Sequence, residues 1–456
     1  MHHERVSGDP VGPVPRTIAI VGCGHVGLVM AAGFAHLGHR VIGLDSDPDL
    51  VEGLRRGLLR VQEQGLPPLI AEGVASGRLS FTVSYDEAVP EAEFIFLAVD
   101  TPPAPGGAAD LRNLRSAATS VAASLNGMGP IVVNKSTAPI GTGDQLESLL
   151  WRTVRDGVAR PRIVSNPEFL RQGRAVRDFF EPDRIVVGAP SVDDARAVAA
   201  LYRGLGGELI ITTRRTAEMI KYVANSFLAA RVSFINEIAQ LCDAMGVDID
   251  DVVAGVSQDE RIGAHFFKPG IGYGGSCLPK DTAALRFMGE ASGVATPFLA
   301  AVQQVNQAQR MLGIRQLRAA LGSLDGKRIA VWGLTFKGET EDIRESPAMD
   351  VVSHLVNDGA DVIAYDPSQP RRLPERLHLT LAESAMEAVV DADALAILSD
   401  WPEFGAVPLQ DVRRRMRGDV LFDGRNVLAP GEAHRHGFHS ISVGRGRSLD
   451  VEAVAR

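Results

Sequence analysis

Up to about residue 208, short runs of β-branched and aliphatic residues alternate with longer amphipathic stretches. Thr17–Val21, Arg40–Leu44, Phe94–Val99, Pro130–Asn134, Arg162–Val164 and Arg184–Val187 read as strands. Alternation of this kind predicts a parallel sheet with helices on both faces, an α/β architecture. From Arg215 to Leu321 the strand signal disappears and helical spacing takes over. There the spacing predicts a last helix over Pro297–Leu321, with Leu299, Val302 and Val305 on its apolar side, bridging to the next unit. A second alternating region opens at Lys327-Arg-Ile-Ala-Val-Trp-Gly and returns at Ala360-Asp-Val-Ile-Ala-Tyr-Asp-Pro. Its outline repeats Thr17-Ile-Ala-Ile-Val-Gly and Gly38-His-Arg-Val-Ile-Gly-Leu-Asp, and both second strands end in an acid, Asp45 and Asp366. Two βαβ units around a helical middle are the simplest architecture.

Composition narrows the class. With 456 residues and 45% hydrophobic content the chain has material for several buried cores. Its net charge of −9 comes from interspersed charges without basic blocks, so a nucleic-acid partner is not expected. The three cysteines, Cys23, Cys242 and Cys277, are far apart and form no Cys/His cluster. That count points to a reducing, cytoplasmic compartment and to neither a metal site nor a disulfide framework. Met1–Pro15 is polar and reads as a loose tail without the pattern of a secretion signal. Ile18–Gly38 lacks Asp, Glu, Lys and Arg and has the length of a membrane span. Gly22, Gly24, Gly27 and Gly33 with His25 and His36 favour a buried strand and turn instead, so no membrane association is expected.

Gly22-Cys-Gly-His-Val-Gly27 follows a predicted strand and precedes an apolar helix pattern, the setting a GxGxxG dinucleotide fingerprint needs. Gly22 permits the tight turn, Gly24 lets backbone approach a pyrophosphate, and Gly27 allows helix and strand to pack closely. Asp45, eighteen residues beyond Gly27, ends the second strand, where an acid accepts ribose hydroxyls and repels a 2′-phosphate. NAD is therefore the expected cofactor.

The segment Gly274-Gly-Ser-Cys277-Leu-Pro279-Lys280-Asp281 holds a second chemistry. Pro279 suits a first helical turn, which puts Cys277 at a helix start. A cysteine there, beside a lysine, can have its pKa lowered from ~8.5 to roughly 3.5–7.5. Asp281 follows at i+4 and can position water or take a proton near the sulfur. An inert cysteine at a helix cap is the competing reading. Lys221 and Asn225 form another i, i+4 pair, able to hold an oxyanion, although such pairs are more often solvated helix surface.

Taken together, Gly22–Gly27, Asn134-Lys-Ser-Thr137, Asn166-Pro-Glu168-Phe-Leu, Lys221 with Asn225, Gly274–Asp281, Phe336-Lys337 and Asp342-Ile-Arg344-Glu-Ser-Pro resemble the UDP-glucose/GDP-mannose dehydrogenase family over residues 16 to about 440. The resemblance implies two Rossmann-like doubly wound domains, 16–208 for NAD and 322–456 for the nucleotide sugar, flanking a helical central dimerisation domain, 209–321. It implies oxidation of a sugar C6 alcohol to the carboxylate with two NAD per turnover, through a thiohemiacetal and a thioester on Cys277. Lys221 and Asn225 match the family's oxyanion pair, Asp281 its water-handling carboxylate, and Glu168 and Thr137 its polar groups around the reacting carbon. Further NAD contacts are implied at His25, Val26, Val99, Thr101, Lys135, Thr137, Cys277, Lys280 and Arg344. Substrate contacts are implied at Glu168, Phe169, Leu170, Lys221, Asn225, Lys268, Gly272, Tyr273, Gly274, Phe336, Lys337 and Arg425, and at Arg261 lent by a neighbouring subunit of a homodimer or larger homo-oligomer.

The sequence departs from the family pattern twice. Leu50 stands where a basic residue is usual, and Gln172 where a glutamate is frequent, both bearing on cofactor affinity. The Arg261-Ile-Gly stretch resembles members acting on UDP-glucose. UDP-glucose is thus the expected substrate, ahead of a UDP-N-acetylhexosamine or GDP-mannose. A non-catalytic dinucleotide sensor or assembly protein is the reading from another class, against which the joint presence of Cys277, Lys221, Asn225 and Asp281 argues.

Overall fold

Ile18, Ala19 and Ile20 are completely buried, as a strand covered on both faces must be. Alternate side chains of that strand enter different cores: Ile18 and Ile20 join one cluster, Ala19 and Val21 another. The computed structural model describes residues 2–5, 14–127, 129–370, 373–374 and 377–446. They fall into two compact units, 1–224 and 225–456.

In the first unit six parallel strands lie in the order Leu79–Thr82, Arg40–Leu44, Thr17–Val21, Phe94–Leu97, Ile131–Asn134, Arg162–Ser165. This is the doubly wound 3-2-1-4-5-6 order, whose crevice opens where the order reverses, at the carboxyl ends of Thr17–Val21 and Phe94–Leu97. The sheet then departs from the all-parallel expectation. Arg184–Gly188 meets Arg162–Ser165 antiparallel, through Ser165 and Gly188; Glu208–Thr212 runs parallel to Arg184–Gly188, and His2–Arg5 closes the edge antiparallel. A run of β-branched residues buried on two faces is equally suited to either direction, so composition does not reveal the reversal. The sequence also gave no strand signal at Leu79–Thr82, Glu208–Thr212 or His2–Arg5. Most of the rest of the Met1–Pro15 stretch, read above as a tail, lies outside the described residues.

Helix His25–His36 is buried from Gly27 through Ala35, which explains why Ile18–Gly38 carries no charge. No helix among the described residues is long and apolar enough to cross a membrane. Phe34 on this helix contacts Phe96, Phe179 and Tyr202 with ring centroids 5.1–5.5 Å apart.

In the second unit the sheet is wholly parallel, in the order Thr380–Leu381, Asp361–Tyr365, Arg328–Trp332, Ala394–Ile397, Val420–Asp423, His439–Ser442. The same 3-2-1-4-5-6 order and the same alternation recur, with Ile329 and Val331 in one core and Ala330 and Trp332 in another. Leading into this sheet are helices Ile249–Val256, Leu278–Ala291, Pro297–Arg310 and Leu312–Leu321. The single helix expected over Pro297–Leu321 is interrupted at Met311. Its buried face is also more polar than the apolar spacing suggested: Leu299 and Val305 are half-buried, while Asn306, Gln309 and Arg310 are buried beside Val302. Those three polar side chains hydrogen-bond the carbonyls of Gly270 and Tyr273, fixing the loop that leads to Cys277.

Candidate functional site

The turn after Thr17–Val21 is built for an anion. A Cβ on Gly27 would lie 1.8 Å from the Gly22 carbonyl oxygen, and Gly22 has φ +100°, so neither position accepts a side chain. Gly24, by contrast, faces open space. Helix His25–His36 has no side-chain cap and no acid in its first turn, which leaves its N–H groups available to phosphate. Asp45 accepts the Cys23 N–H at 2.7 Å and the Asp47 N–H at 3.0 Å, one on each oxygen, and keeps a lone pair on each for ribose hydroxyls. These residues fit a dinucleotide. Cys23 itself is buried, and burial pushes its thiol far up, as suits an apolar filler. His25 and Val26 open the helix; Val26 packs on the core, as does Leu50. Asp366 holds the corresponding place in the second unit, but its carboxylate accepts from Leu334, Thr335 and Ser368, which takes up its capacity.

Two loops at the carboxyl ends of neighbouring strands are laced together beside this turn. Ser136 Oγ donates to the Val99 carbonyl at 2.7 Å, and Thr101 Oγ1 donates to the Thr137 carbonyl at 2.7 Å. Lys135, expected to touch NAD, has its amine engaged within the protein: it is buried and donates to Asn166 Oδ1 at 3.1 Å and Tyr202 Oη at 3.3 Å. Burial pushes the Lys135 ammonium down to about 7, with Glu168 opposing the shift and Lys221 adding to it. The folded protein therefore binds fewer protons than the unfolded chain between about 7 and 10.5, and over that window stability rises with pH. Lys135→Met removes this burden. Its stability relative to the parent is expected to be higher at pH 6.5 than at pH 10 by on the order of 3 kcal/mol, read from denaturant unfolding at both pH values.

Lys221 and Glu168 form a buried pair, Nζ to Oε1 3.0 Å. Glu168 Oε2 also accepts the Leu170 N–H at 2.6 Å. Burial pushes the Glu168 carboxyl up, but Lys221, the Leu170 N–H and Lys135 together outweigh it and hold the group below the usual carboxylate range. The Phe169 ring lies under Lys221 and under the Arg184 guanidinium, 3.9 Å from its centroid. Asn134, Thr137, Ser165, Glu218 and Lys221 line a cavity of about 10 Å³, and Asn134 Oδ1 is buried with no partner among the described residues. That is room for about one water. Arg184, Tyr202 and Glu218 were not singled out from sequence; the partners that hold them here, Phe169, Lys135, Asn166 and Ser165 among them, lie well outside a helical or strand spacing, and no local pattern marks them.

In the second unit Cys277 is the N-cap of Leu278–Ala291, and its side chain is exposed. Its Sγ lies 3.7 Å from Ser276 Oγ. Asp281, expected to position water or take a proton near the sulfur, is buried and accepts on both oxygens, from Asn225 Nδ2 at 2.6 Å and Lys280 Nζ at 2.5 Å. The approach to Cys277 is tight: a Cβ on Gly274 would strike the Glu345 carbonyl at 2.2 Å, and one on Gly275 would strike the Phe336 ring. Lys337 lies over the Phe336 ring.

Arg425, expected on the diphosphate, donates instead to the carbonyls of Leu398, Gly272 and Phe336 and so welds three loops. Lys268 stands 3.9 Å from Asp400, and Tyr273 packs with Ala229, Ala230 and Val302. Arg344 and Arg261 are exposed and pair with Asp342 and Asp259. Thus the structure brings Lys221, Glu168, Phe169 and Leu170 together in the first unit, and Asn225, Asp281 and Lys280 with the Cys277 helix start in the second.

Sequence models of the UDP-glucose/GDP-mannose dehydrogenase family match residues 16–206 as the NAD binding domain, 215–308 as the central domain and 330–430 as the UDP binding domain. The chain is 43% identical to a UDP-glucose 6-dehydrogenase of Rhizobium meliloti, over 94% of this chain and 99% of that protein. It is 39% identical to one of Pseudomonas aeruginosa, over 96% and 99%. A UDP-glucose dehydrogenase structure from Pyrobaculum islandicum superposes with TM-score 0.89 at 36% identity, covering 96% of this chain and all of that one. A UDP-D-ManNAc dehydrogenase structure from Pyrococcus horikoshii gives 0.84 at 28% identity, covering 94% and 99%. A nucleotide-binding turn with its ribose acid, an exposed cysteine at a helix start and full-length likeness converge: the chain belongs to the UDP-glucose/GDP-mannose dehydrogenase family, the NAD-dependent dehydrogenases of nucleotide sugars.

Proposed function

We propose that this protein oxidises UDP-glucose at C6 to UDP-glucuronate in two successive oxidations, with Cys277 as covalent nucleophile. The observation that carries the reading is the contrast among the cysteines: Cys23 and Cys242 are buried, and Cys277 is exposed at the start of a 14-residue helix. NAD, held by the Gly22–Gly27 turn and Asp45, supplies the two-electron acceptor for each oxidation. Between them, Cys277 Sγ bonds to the aldehyde carbon. That carbon becomes tetrahedral, the geometry from which a second hydride can depart, and the covalent bond prevents escape. Lys221 and Asn225 donate to the oxygen that gains charge as sulfur adds. The second oxidation leaves a thioester; water adds to its carbon, the C–S bond breaks, and the thiolate is restored as the acid leaves. Asp281 orients the Asn225 amide, and with Thr137 and Glu168 it handles the water. Lys268 and Lys337 supply positive charge toward the diphosphate, and Arg425 orders the Gly272 and Phe336 loops beside it. The UDP-glucose 6-dehydrogenases among the relatives, at 39–43% identity over nearly whole chains, support this choice of sugar.

The test is to supply purified protein with UDP-glucose, UDP-N-acetylmannosamine or GDP-mannose and follow NADH. About two NADH per UDP-glucose consumed is the expected result. Preference for either of the other sugars overturns the choice of substrate.

We further assign residues 16–208 to NAD, 322–456 to the nucleotide sugar and 209–321 to dimerisation, in a cytoplasmic homodimer or larger assembly that shares Arg261 between subunits. Helix Arg214–Met245 supports this, since Phe227, Phe234 and Leu241 recur every seven residues and are 48–59% exposed. Phe234→Asp is expected to convert the assembly to monomer in analytical ultracentrifugation; an unchanged sedimentation coefficient removes this face from the interface.

A further inference from the structure

Glu63 lies between helices Pro48–Arg55 and Leu66–Ala75, and no motif in the sequence singled it out. Its side chain has no exposed surface. One carboxylate oxygen accepts the Gly173 N–H at 2.9 Å and the other the Ala175 N–H at 2.8 Å, across more than a hundred residues of chain. Oε2 also stands 2.9 Å from His25 Nε2, a buried atom that makes no directed hydrogen bond among the described residues. The two side chains are therefore in contact at hydrogen-bond distance without a well-aimed N–H between them.

Both ends of the dinucleotide site meet this short stretch. Three residues before Glu63, Arg60 reaches Asp47 at 2.6 Å, and Asp47 donates its N–H to Asp45. The other partner of Glu63 is equally well defined. Leu170 N–H is bound by Glu168, and Arg171 is clamped by Asp178 through its N–H, Nε and Nη2, so the segment from Glu168 to Asp178 is tied internally. Glu63 grips that segment through two charge-assisted backbone bonds.

We propose that Glu63 is a positioning residue that couples the dinucleotide turn to the Glu168–Ala175 segment, so that occupancy of either ligand site raises affinity at the other. This rests on the reading that NAD lies on the Gly22–Gly27 turn and that Glu168, Phe169 and Leu170 meet the sugar nucleotide. Ordering His25 orders the carboxylate, and ordering the carboxylate orders residues 173–175. Linkage makes the effect reciprocal. Glu63→Gln keeps the shape but offers one acceptor oxygen to two backbone donors, and its NH₂ faces the other donor.

The experiment is a titration of the full-length protein with NADH, followed by fluorescence, without and with saturating UDP-glucose, a pair that cannot react. Wild type is expected to bind NADH roughly fivefold or more tightly when UDP-glucose is present. In Glu63→Gln that ratio is expected to fall to about one, whatever happens to thermal stability. A variant that is merely destabilised keeps the wild-type ratio, and that result overturns the proposal, as does a wild-type ratio of one. Should Glu63→Gln not fold, His25→Gln reads the same contact, and an unchanged ratio there overturns it equally. Wild type that oxidises UDP-glucose while the variant ratio stays unchanged removes the coupling alone. Wild type that does not oxidise UDP-glucose removes the functional reading, and the coupling with it.

Discussion

Cys277→Ser is expected to lower steady-state formation of the sugar acid by at least about a thousandfold, with NADH production stalling at no more than about one equivalent per site. Two physical differences drive this. A serine hydroxyl at neutral pH is almost wholly protonated and a poor nucleophile without a dedicated base, whereas a thiol at a helix N-terminus supplies thiolate. An oxygen ester on serine also leaves less readily than a thioester. Since Cys277 is exposed and caps the helix without a side-chain hydrogen bond to it, the substitution costs the fold little. Loss of activity with an unchanged unfolding curve is thus the specific expectation, checked by pre-steady-state NADH absorbance and mass spectrometry of the quenched protein. A Cys277→Ser enzyme turning over at the parental rate would end the covalent mechanism.

The second large effect is expected at Lys221, which acts on stability as well as on chemistry. Lys221→Met leaves the Glu168 carboxylate buried beside a methyl group, and breaking such a pair costs about 3–5 kcal/mol. It also removes an oxyanion donor, which costs roughly a hundred- to a thousandfold in kcat. The two losses separate. Glu168→Gln added to Lys221→Met neutralises the stranded charge and is expected to recover most of the stability and none of the activity. The pH dependence follows from Glu168, which the parent holds below the usual carboxylate range. Stability from a depressed carboxyl is present above the unfolded value and is lost as pH falls through the folded one. Without Lys221 only the Leu170 N–H and Lys135 still offset the cost of burial, so acid relieves the variant: its deficit is expected to be larger at pH 7.5 than near pH 4.5, by chemical denaturation. A deficit independent of pH would show that the carboxylate is not what the lysine stabilises.

Legibility in the sequence followed the range of the interactions. The strand, turn, helix and acid of the dinucleotide half were readable because each is a local constraint: Gly27 sits against Gly22 within one turn, and Asp45 ends the next strand. The start of the Cys277 helix was readable for the same reason, from Pro279 and the preceding glycines. Less was readable wherever a polar side chain spends its hydrogen bonds far along the chain. In sequence Lys135 looks like an NAD contact and Arg425 like a cation offered to a diphosphate. In the fold, Lys135 serves Asn166 and Tyr202, and Arg425 serves three carbonyls from Gly272, Phe336 and Leu398. Asp281 shows in sequence only its place one turn beyond Cys277, and not the Asn225 amide, 56 residues away, that its carboxylate holds.

By itself, then, the sequence determined the α/β class, the repeat of the doubly wound unit, the cofactor turn and the family, because periodicity and short-range geometry are written in neighbouring residues. Only the tertiary structure decided the direction of Arg184–Gly188 and Glu208–Thr212, the break at Met311, and which buried charges face one another. Those outcomes depend on desolvation and on partners tens to hundreds of positions away, and no local pattern of residues encodes who the partner is.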